Sequence, residues 1–328
     1  MKDLKNDFKT NQFKPVYLLY GDEPYLIRYY ASLFTERLLA DAMMNRDIFE
    51  GKDFEIGAVM DAAETLPFLS ERRLVYIKDS GLVATGRKND TESLAKYLPQ
   101  IPESTILIFV ENTIDKRNRI YKQIASQGRA VECTIPGEAE LIRWIGNVFK
   151  KKGKQIDSQT ARLFLATVPK GMDALYAEAD KLSNFVGGRT AISPEDIQAV
   201  CTKSLEARIF DLVGFLCTRQ TEKALIQYHN MLVAKEQPLM ILTMMARQFR
   251  MVLQCKAAAE KRIAAQQIAQ TLGMRDFVVK ECLKQAQNFT SAQLHEALYD
   301  CQDTDIRIKT GRIDGELGVE LLLVRYSI

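Results

Sequence analysis

The chain has 328 residues, of which 47% are hydrophobic and 27% charged, a globular composition that can bury cores without disulfide or metal staples. At roughly 100–200 residues per domain, this length predicts two or three domains. Lysine and arginine number 45 against 42 aspartate and glutamate, giving a net charge of +3. This balance excludes a chain-wide basic field, so any nucleic-acid contact has to be a local patch.

Cysteine usage and hydropathy indicate a reducing compartment. The six cysteines are scattered and form no CxxC pair, as is typical of reduced and mostly buried thiols. Residues 1–14 are polar, without the apolar run of a secretory signal, and no stretch reaches the ~18 apolar residues of a membrane span. We therefore expect a cytoplasmic protein that makes no membrane contact.

Strand and helix patterns divide the chain into an α/β part and a helical part. Several of the predicted strands are continuous apolar runs, which is typical of parallel strands covered by helices on both faces. The predicted strands are 16–20, 47–49, 74–77, 105–110 and 130–133. After Pro136-Gly137 the strand signal stops, and a small helical unit of some seventy residues is followed by helices to the end of the chain.

The first strand ends in a glycine and precedes a helix, which is where a phosphate-binding loop would lie. Such a loop needs the pattern GxxxxGK[ST], whose backbone N–H groups and lysine hold phosphates. This chain has Gly21-Asp22-Glu23-Pro24 instead, and the second glycine, the lysine and the hydroxyl residue are all missing. Two carboxylates stand where phosphate oxygens would lie, so we expect no ATP binding and no nucleotide cofactor.

No other catalytic pattern is present. Asp79 and Glu111 lie at strand ends where a carboxylate could hold Mg²⁺, but without a phosphate loop each is more typical of a turn residue or helix cap. With only two histidines, a histidine-based metal or acid–base site is hard to build. We expect no catalytic residues, no metal and no cofactor.

Three further segments each allow a structural and a functional interpretation. Residues 66–73 (LPFLSERR) form either an apolar staple onto the core or an exposed hydrophobic wedge that fills a partner's pocket, and the pattern does not decide between them. Residues 305–312 (DIRIKTGR) form either a solvated helix end or a phosphate-facing loop. The lysines of residues 149–154 favour a helix C-terminus over a phosphate contact.

The ordered set of short motifs resembles one family over the whole chain, the delta subunits of the bacterial DNA polymerase III clamp loader. Each motif is weak alone, but seven in the right order make the resemblance specific. They are VYLLYGDEPYL (16–26), LPFLSERRLV (66–75), DKR (115–117), AEADKL (177–182), IFDL (209–212), ARQFR (246–250) and DIRIKTG (305–311).

The resemblance implies a fold and a site. The expected fold is an α/β N-terminal RecA-like domain of the AAA+ type (residues 1–136), a small helical lid domain (137–204) and an all-helical C-terminal collar domain (205–328). The clamp-binding wedge would comprise Leu66, Pro67, Phe68 and Leu69, with Pro67 ending the preceding helix. Phe68 and Leu69 form its core. The basic residues Arg307, Lys309 and Arg312 would contact DNA.

The resemblance also implies partners and a role in DNA replication. The chain would bind and open the beta sliding clamp for loading onto primed DNA without hydrolysing ATP. It would be a non-catalytic subunit of the DNA-directed DNA polymerase, a nucleotidyltransferase whose activity resides in another subunit. Its expected partners are the clamp, delta-prime, the tau/gamma ATPase subunits and primer-template DNA. Two alternatives remain: an AAA+ ATPase or initiator-like DNA-binding motor with a degenerate nucleotide loop, and a helical scaffold without clamp contact.

Overall fold

The computed structural model describes residues 1–39, 42–84, 88–274 and 276–327, which divide into two compact units. One unit comprises residues 1–153 and 171–180, and the other comprises residues 154–170 and 181–328. The finer division into a RecA-like domain (1–136), a lid (137–204) and a collar (205–328) stays a prediction.

The first unit contains a parallel sheet with the strand order β2-β3-β4-β1-β5. Every neighbouring pair of strands is parallel, which confirms the predicted parallel-sheet α/β fold. In chain order, its elements are α1 (Lys2–Thr10), β1 (Val16–Tyr20), α2 (Pro24–Leu38), β2 (Arg46–Glu50), α3 (Ile56–Glu64), β3 (Arg73–Lys78), α4 (Lys88–Tyr97), β4 (Thr105–Glu111), α5 (Arg119–Gln127), β5 (Arg129–Glu132) and α6 (Glu138–Lys151).

Helices cover both faces of this sheet, which explains why its central strands are apolar throughout. On one face, Val16 and Leu18 of β1 share a core with α3, α4 and α5. On the other face, the ring centroid of Tyr17 lies 4.7 Å from that of Phe34 on α2. All five residues of β1 are buried, whereas the edge strands β2 and β5 are partly exposed.

The parallel strands place two loops at opposite edges of the sheet. The loop that joins α3 to β3 (residues 65–72) enters at the edge formed by the amino ends of the strands. The loop after β1 (residues 21–23) leaves at the edge formed by their carboxyl ends. At ~3.3 Å per residue, a strand of five or six residues separates the two edges by roughly 17–20 Å.

The second unit is helical, with α12 and α15 as long helices of its core. The start of α9 is well capped, because Ser193 caps its N-terminus, Pro194 follows and Asp196 completes a capping box. No helix in the described residues is long and apolar enough to cross a membrane. The remaining elements are α7 (Ser158–Thr167), α8 (Met172–Val186), of which residues 172–180 belong to the first unit, α9 (Pro194–Val200), α10 (Leu205–Cys217), α11 (Thr221–Val233), α12 (Pro238–Glu260), α13 (Ala265–Leu272), α14 (Asp276–Gln287), α15 (Ser291–Lys309) and α16 (Gly315–Ser327).

Gly21, which ends β1, has a backbone that only glycine adopts readily. Its φ is +130°, and a Cβ added there would lie 2.3 Å from the carbonyl oxygen of Cys133. We expect Gly21→Ala to lower the free energy of unfolding by at least about 2 kcal/mol, through backbone strain and the clash. Denaturant titration of the full chain measures the change.

The matched control is Gly57→Ala. Gly57 lies in α3, and nothing stands within 4 Å of a Cβ added there. Alanine in a helix is more stable than glycine by about 0.5–1 kcal/mol, so this control should raise the free energy of unfolding. A Gly21→Ala chain as stable as the unmutated chain would contradict the close approach to Cys133.

Candidate functional site

The loop between β1 and α2 is closed by a carboxylate of the chain itself. Glu23 is the N-cap of α2 and only 2% exposed. Its Oε1 accepts a hydrogen bond from the N–H of Tyr25 at 3.2 Å, and its Oε2 accepts one from the N–H of Met172, at the start of α8, at 3.1 Å. The free N–H groups at helix N-termini are donors that a bound phosphate would use. Glu23 therefore occupies the place of an anion at two helix ends.

Further carboxylates lie at the same edge of the sheet. The register aligns Tyr20, the last residue of β1, with Glu111 on one side and Glu132 on the other. Glu111 accepts hydrogen bonds from the N–H groups of Ser80 and Gly81 at 3.1 and 3.2 Å, and burial raises the pKa of its carboxyl group. Glu111 is itself the last residue of β4, neither a turn residue nor a helix cap, and its carboxylate anchors the turn after β3.

A metal would need several ligands at one point. Among the described residues, no group of three or more histidine, cysteine, aspartate or glutamate side chains is arranged to hold one.

Helix α3 ends at Glu64, immediately before the wedge, which we define as residues 66–69. Thr65 is its C-cap in an extended conformation with φ −66° and ψ 123°, and the Thr65 hydroxyl donates to the carbonyl oxygen of Asp61 at 2.8 Å. The residue before a proline is restricted to extended conformations, so Pro67 prevents the helix from continuing through Leu66. The chain therefore turns away from α3 at this point.

The apolar side chains of the wedge face solvent. The exposed fractions are 78% for Leu66, 59% for Phe68 and 88% for Leu69. A staple onto the core would bury these side chains, so that interpretation is wrong for all three. Apolar side chains exposed together on one loop are typical of an interaction surface.

The backbone of the wedge is fixed although its side chains are free. Leu69 has φ +52°, a left-handed conformation that costs a branched-chain residue about 1–2 kcal/mol. The side-chain amide of Asn45 holds Phe68 by two hydrogen bonds. The Phe68 N–H donates to Asn45 Oδ1 at 2.7 Å, and Asn45 Nδ2 donates to the Phe68 carbonyl oxygen at 2.8 Å. The wedge is therefore a loop with a defined backbone conformation.

Polar contacts also fix the chain where it leaves the wedge. The guanidinium of Arg72 donates to the carbonyl oxygen of Glu103, and the N–H of Arg73 donates to that of Ser104 at 2.8 Å. The guanidinium of Arg73 lies 2.6 Å from a carboxylate oxygen of Asp47. These contacts join the loop to β2 and to the residues that immediately precede β4.

Sequence patterns alone do not single out Asn45, Met43 and Met44. Asn45 is fully buried at the end of a short 3-10 turn before β2, while Met43 and Met44 are 44% and 66% exposed. The sequence signal was the pair of adjacent methionines beside a polar residue ahead of a strand. Nothing in one sequence shows that this turn lies next to a loop 23 residues later.

The three basic residues 307, 309 and 312 lie together at the C-terminal end of α15. The turn brings the N–H of Arg312 to 2.8 Å from the carbonyl oxygen of Arg307. Two of the cations have carboxylates on the same helix face. Lys309 Nζ lies 2.7 Å from Asp305, and an Arg307 nitrogen lies 3.8 Å from Asp303. These exposed pairs weaken the positive potential that the sequence alone suggested.

The lysine run 150–154 has structural partners. Gly153 has φ +72° and ends α6, as predicted for a helix C-terminus. Lys152 pairs with Asp180, and the buried Lys154 donates to the carbonyl oxygens of Gly187 and, at 2.7 Å, Arg189. The structural interpretation therefore holds for Lys152 and Lys154.

Comparisons with known proteins agree on one family. The family model for the DNA polymerase III delta subunit matches residues 17–134, and the model for the C-terminal domain of the delta subunit matches residues 206–326. The DNA polymerase III subunit delta of Bacillus subtilis is 26% identical over 332 residues, which cover 98% of this chain and 96% of that protein. The probable DNA polymerase III subunit delta of Aquifex aeolicus is 22% identical, covering 81% and 77%.

A solved structure gives the same result. The Bacillus subtilis DNA clamp loader delta protein matches with a TM-score of 0.56 and 26% identity, covering 99% of each chain. The resemblance predicted from seven short motifs is thereby confirmed. Because the two family models span both ends of the chain and most of its length, the chain belongs to the delta subunit family of DNA polymerase III.

Proposed function

We propose that this chain binds the beta sliding clamp through its wedge and opens the clamp for loading onto primed DNA, without hydrolysing ATP itself. The observation that carries the proposal is the wedge, because its apolar side chains are exposed while its backbone is held by Asn45. Rigid apolar anchors at the centre of an interface contribute a large share of binding free energy. Because the chain belongs to the delta subunit family, the sliding clamp is the partner that we propose.

Clamp opening in this proposal is a shift of an equilibrium. A ligand moves a two-state equilibrium only by the difference between its affinities for the two states. The wedge therefore has to fit the open clamp interface better than the closed one. Moving a population from 1:99 to 99:1 requires a preference of about 10⁴-fold. Chemistry by the wedge is not needed.

The rest of the chain would connect the wedge to the loader. Residues 1–136 form the clamp-binding domain, residues 137–204 the lid and residues 205–328 the collar, which assembles with delta-prime and the tau/gamma ATPase subunits. Primer-template DNA would contact Arg307, Lys309 and Arg312 in the assembled complex, in the cytoplasm. The chain has no catalytic role of its own, and polymerisation belongs to another subunit of the holoenzyme.

The alternative function is an AAA+ ATPase or initiator-like motor with an unusual nucleotide loop. Glu23 weighs against it, because this buried carboxylate already accepts hydrogen bonds from the N-termini of α2 and α8. Glu111 adds a further buried carboxylate at the same edge of the sheet, whereas Glu132 is paired with Lys116 at 3.5 Å. A triphosphate would meet like charge where an active loop offers a lysine.

The first test of this proposal is nucleotide titration. Calorimetry of the full chain with Mg-ATP should show no saturable binding below millimolar concentration, because Glu23 fills the anion position. A purified subunit of the loader that does bind ATP serves as the positive control. Micromolar affinity for this chain would favour the ATPase alternative.

The second test is removal of the wedge side chains. If Phe68 and Leu69 fill a pocket on the clamp, each contributes roughly 1.5–3 kcal/mol by burial. Phe68→Ala plus Leu69→Ala should then weaken clamp affinity by about 10²–10⁴, measured by surface plasmon resonance. The free energy of unfolding should change by no more than about 0.5 kcal/mol, because both side chains are exposed.

A matched double variant controls for the loss of exposed apolar area. Phe185→Ala plus Val233→Ala removes two similarly exposed apolar side chains elsewhere in the chain. Clamp affinity should be unchanged in this control. If the wedge variant is as stable as the unmutated chain and still binds the clamp with full affinity, the proposed function is wrong.

The third test addresses DNA in the assembled loader. Replacing Arg307, Lys309 and Arg312 with glutamine should weaken DNA binding with little dependence on sequence. The slope of log affinity against log salt concentration should become less steep, by an amount that corresponds to the loss of up to about three phosphate contacts. Because Asp303 and Asp305 already compensate two of the cations, we expect a smaller change, dominated by Arg312.

The control for charge uses three exposed lysines at other positions of the C-terminal part, replaced together as Lys223→Gln, Lys235→Gln and Lys261→Gln. It changes the net charge by the same amount. Equal salt slopes for the two triple variants would remove residues 307, 309 and 312 from the DNA-contact assignment.

A further inference from the structure

The turn before β2 and the wedge are joined through one buried side chain. Asn45 is fully buried, and its amide donates to the carbonyl oxygen of Phe68 and accepts from its N–H. A side-chain amide that pairs with both polar groups of one residue acts as a neighbouring strand does in a sheet. The backbone of Phe68 is thereby satisfied while its ring stays in solvent.

This arrangement restricts where the wedge can go. If the wedge moved away, the Asn45 amide, which is fully buried with the wedge in place, would lose both of its hydrogen bonds to Phe68, and this loss costs free energy. The wedge is thus held in one position before any partner binds. A loop that is already ordered loses less conformational entropy on binding than a mobile one.

The same turn presents more apolar surface. Met43 and Met44 immediately precede Asn45 in the chain, and both side chains are exposed. Because Asn45 contacts Phe68 directly, the backbone of this turn lies next to the wedge, at the amino ends of the strands. Methionine side chains are flexible and polarizable, which suits them to fill irregular gaps at an interface.

We infer that the turn formed by Met43, Met44 and Asn45 is a second part of the clamp-binding surface. Asn45 is a positioning residue that fixes the peptide of Phe68, and Met43 and Met44 contact the clamp next to the wedge. The partner is the sliding clamp, because the turn continues the wedge surface, and this inference therefore rests on the proposed function.

The experiment compares two variants of the full chain. Asn45→Ala removes both hydrogen bonds to Phe68 and should weaken clamp affinity roughly tenfold. It should also speed hydrogen exchange of the Phe68 amide without changing exchange in β3. Asn118→Ala is the control, since Asn118 is a partly buried amide of the same unit that holds the backbone at Leu82 and Ala84. That control should lose stability but keep clamp affinity.

The second variant does not disturb the fold. Met43→Gln plus Met44→Gln changes two exposed side chains. Each methionine that becomes buried against the clamp would contribute binding free energy in proportion to its apolar area, so the variant should weaken clamp affinity about three- to tenfold. Met240→Gln, at a similarly exposed methionine, is the control and should bind normally.

The outcomes separate this inference from the proposed function. Loss of binding in Phe68→Ala plus Leu69→Ala, together with full affinity in the methionine variant and in a folded Asn45→Ala chain, would overturn the second surface and leave the wedge intact. Full affinity in the wedge variant would refute the proposed function itself. If Asn45→Ala does not fold, the methionine variant alone decides: reduced affinity supports the second surface and full affinity overturns it.

Discussion

The parallel direction of the five strands is the constraint on which the rest of the structure depends. It places the wedge at one edge of the sheet and the loop closed by Glu23 at the opposite edge. Strand β3 runs from one edge to the other. It begins at Arg73, where the wedge loop ends, and leads into the turn at Ser80 and Gly81 that Glu111 anchors. Exposed apolar side chains of the wedge therefore lie at the amino ends of the strands, and the carboxylates of Glu23 and Glu111 lie at the carboxyl ends.

At the apolar edge, polar contacts maintain an arrangement that the hydrophobic effect alone would remove. Exposure of the Phe68 and Leu69 side chains to water is unfavourable in free energy, and the left-handed backbone of Leu69 adds a further cost. The hydrogen bonds from Asn45 offset part of this cost, and the contacts of Arg72 and Arg73 fix the exit of the loop. Strain and exposure held in place by neighbouring structure are typical of functional loops.

Sequence patterns predicted the elements better than the surface. The apolar runs of β1, β3 and β4 were sufficient to predict these strands, because burial leaves a local signal in the sequence. The wedge pattern was ambiguous, since an apolar loop has the same sequence whether it is buried or exposed. Asn45 could not be found, because its partner lies 23 residues away and pairing of a side chain with a distant peptide leaves no periodicity. The i,i+4 spacing of Asp303 from Arg307 and of Asp305 from Lys309 was readable in the sequence, and α15 places each carboxylate beside its cation, which lowers the local positive potential.

The carboxylate of Glu23 bears on whether this subunit can respond to nucleotide. In the proposed function, the anion position of this subunit is filled permanently by a covalent part of the chain, so its contact with the start of α8 at Met172 does not come and go with nucleotide. The subunit then has the same conformation at that site whatever the energy charge of the cell. Under the proposed function, a change in the ATP to ADP ratio would reach the clamp only through the neighbouring subunits, and this chain would be the member of the assembly whose conformation does not depend on nucleotide.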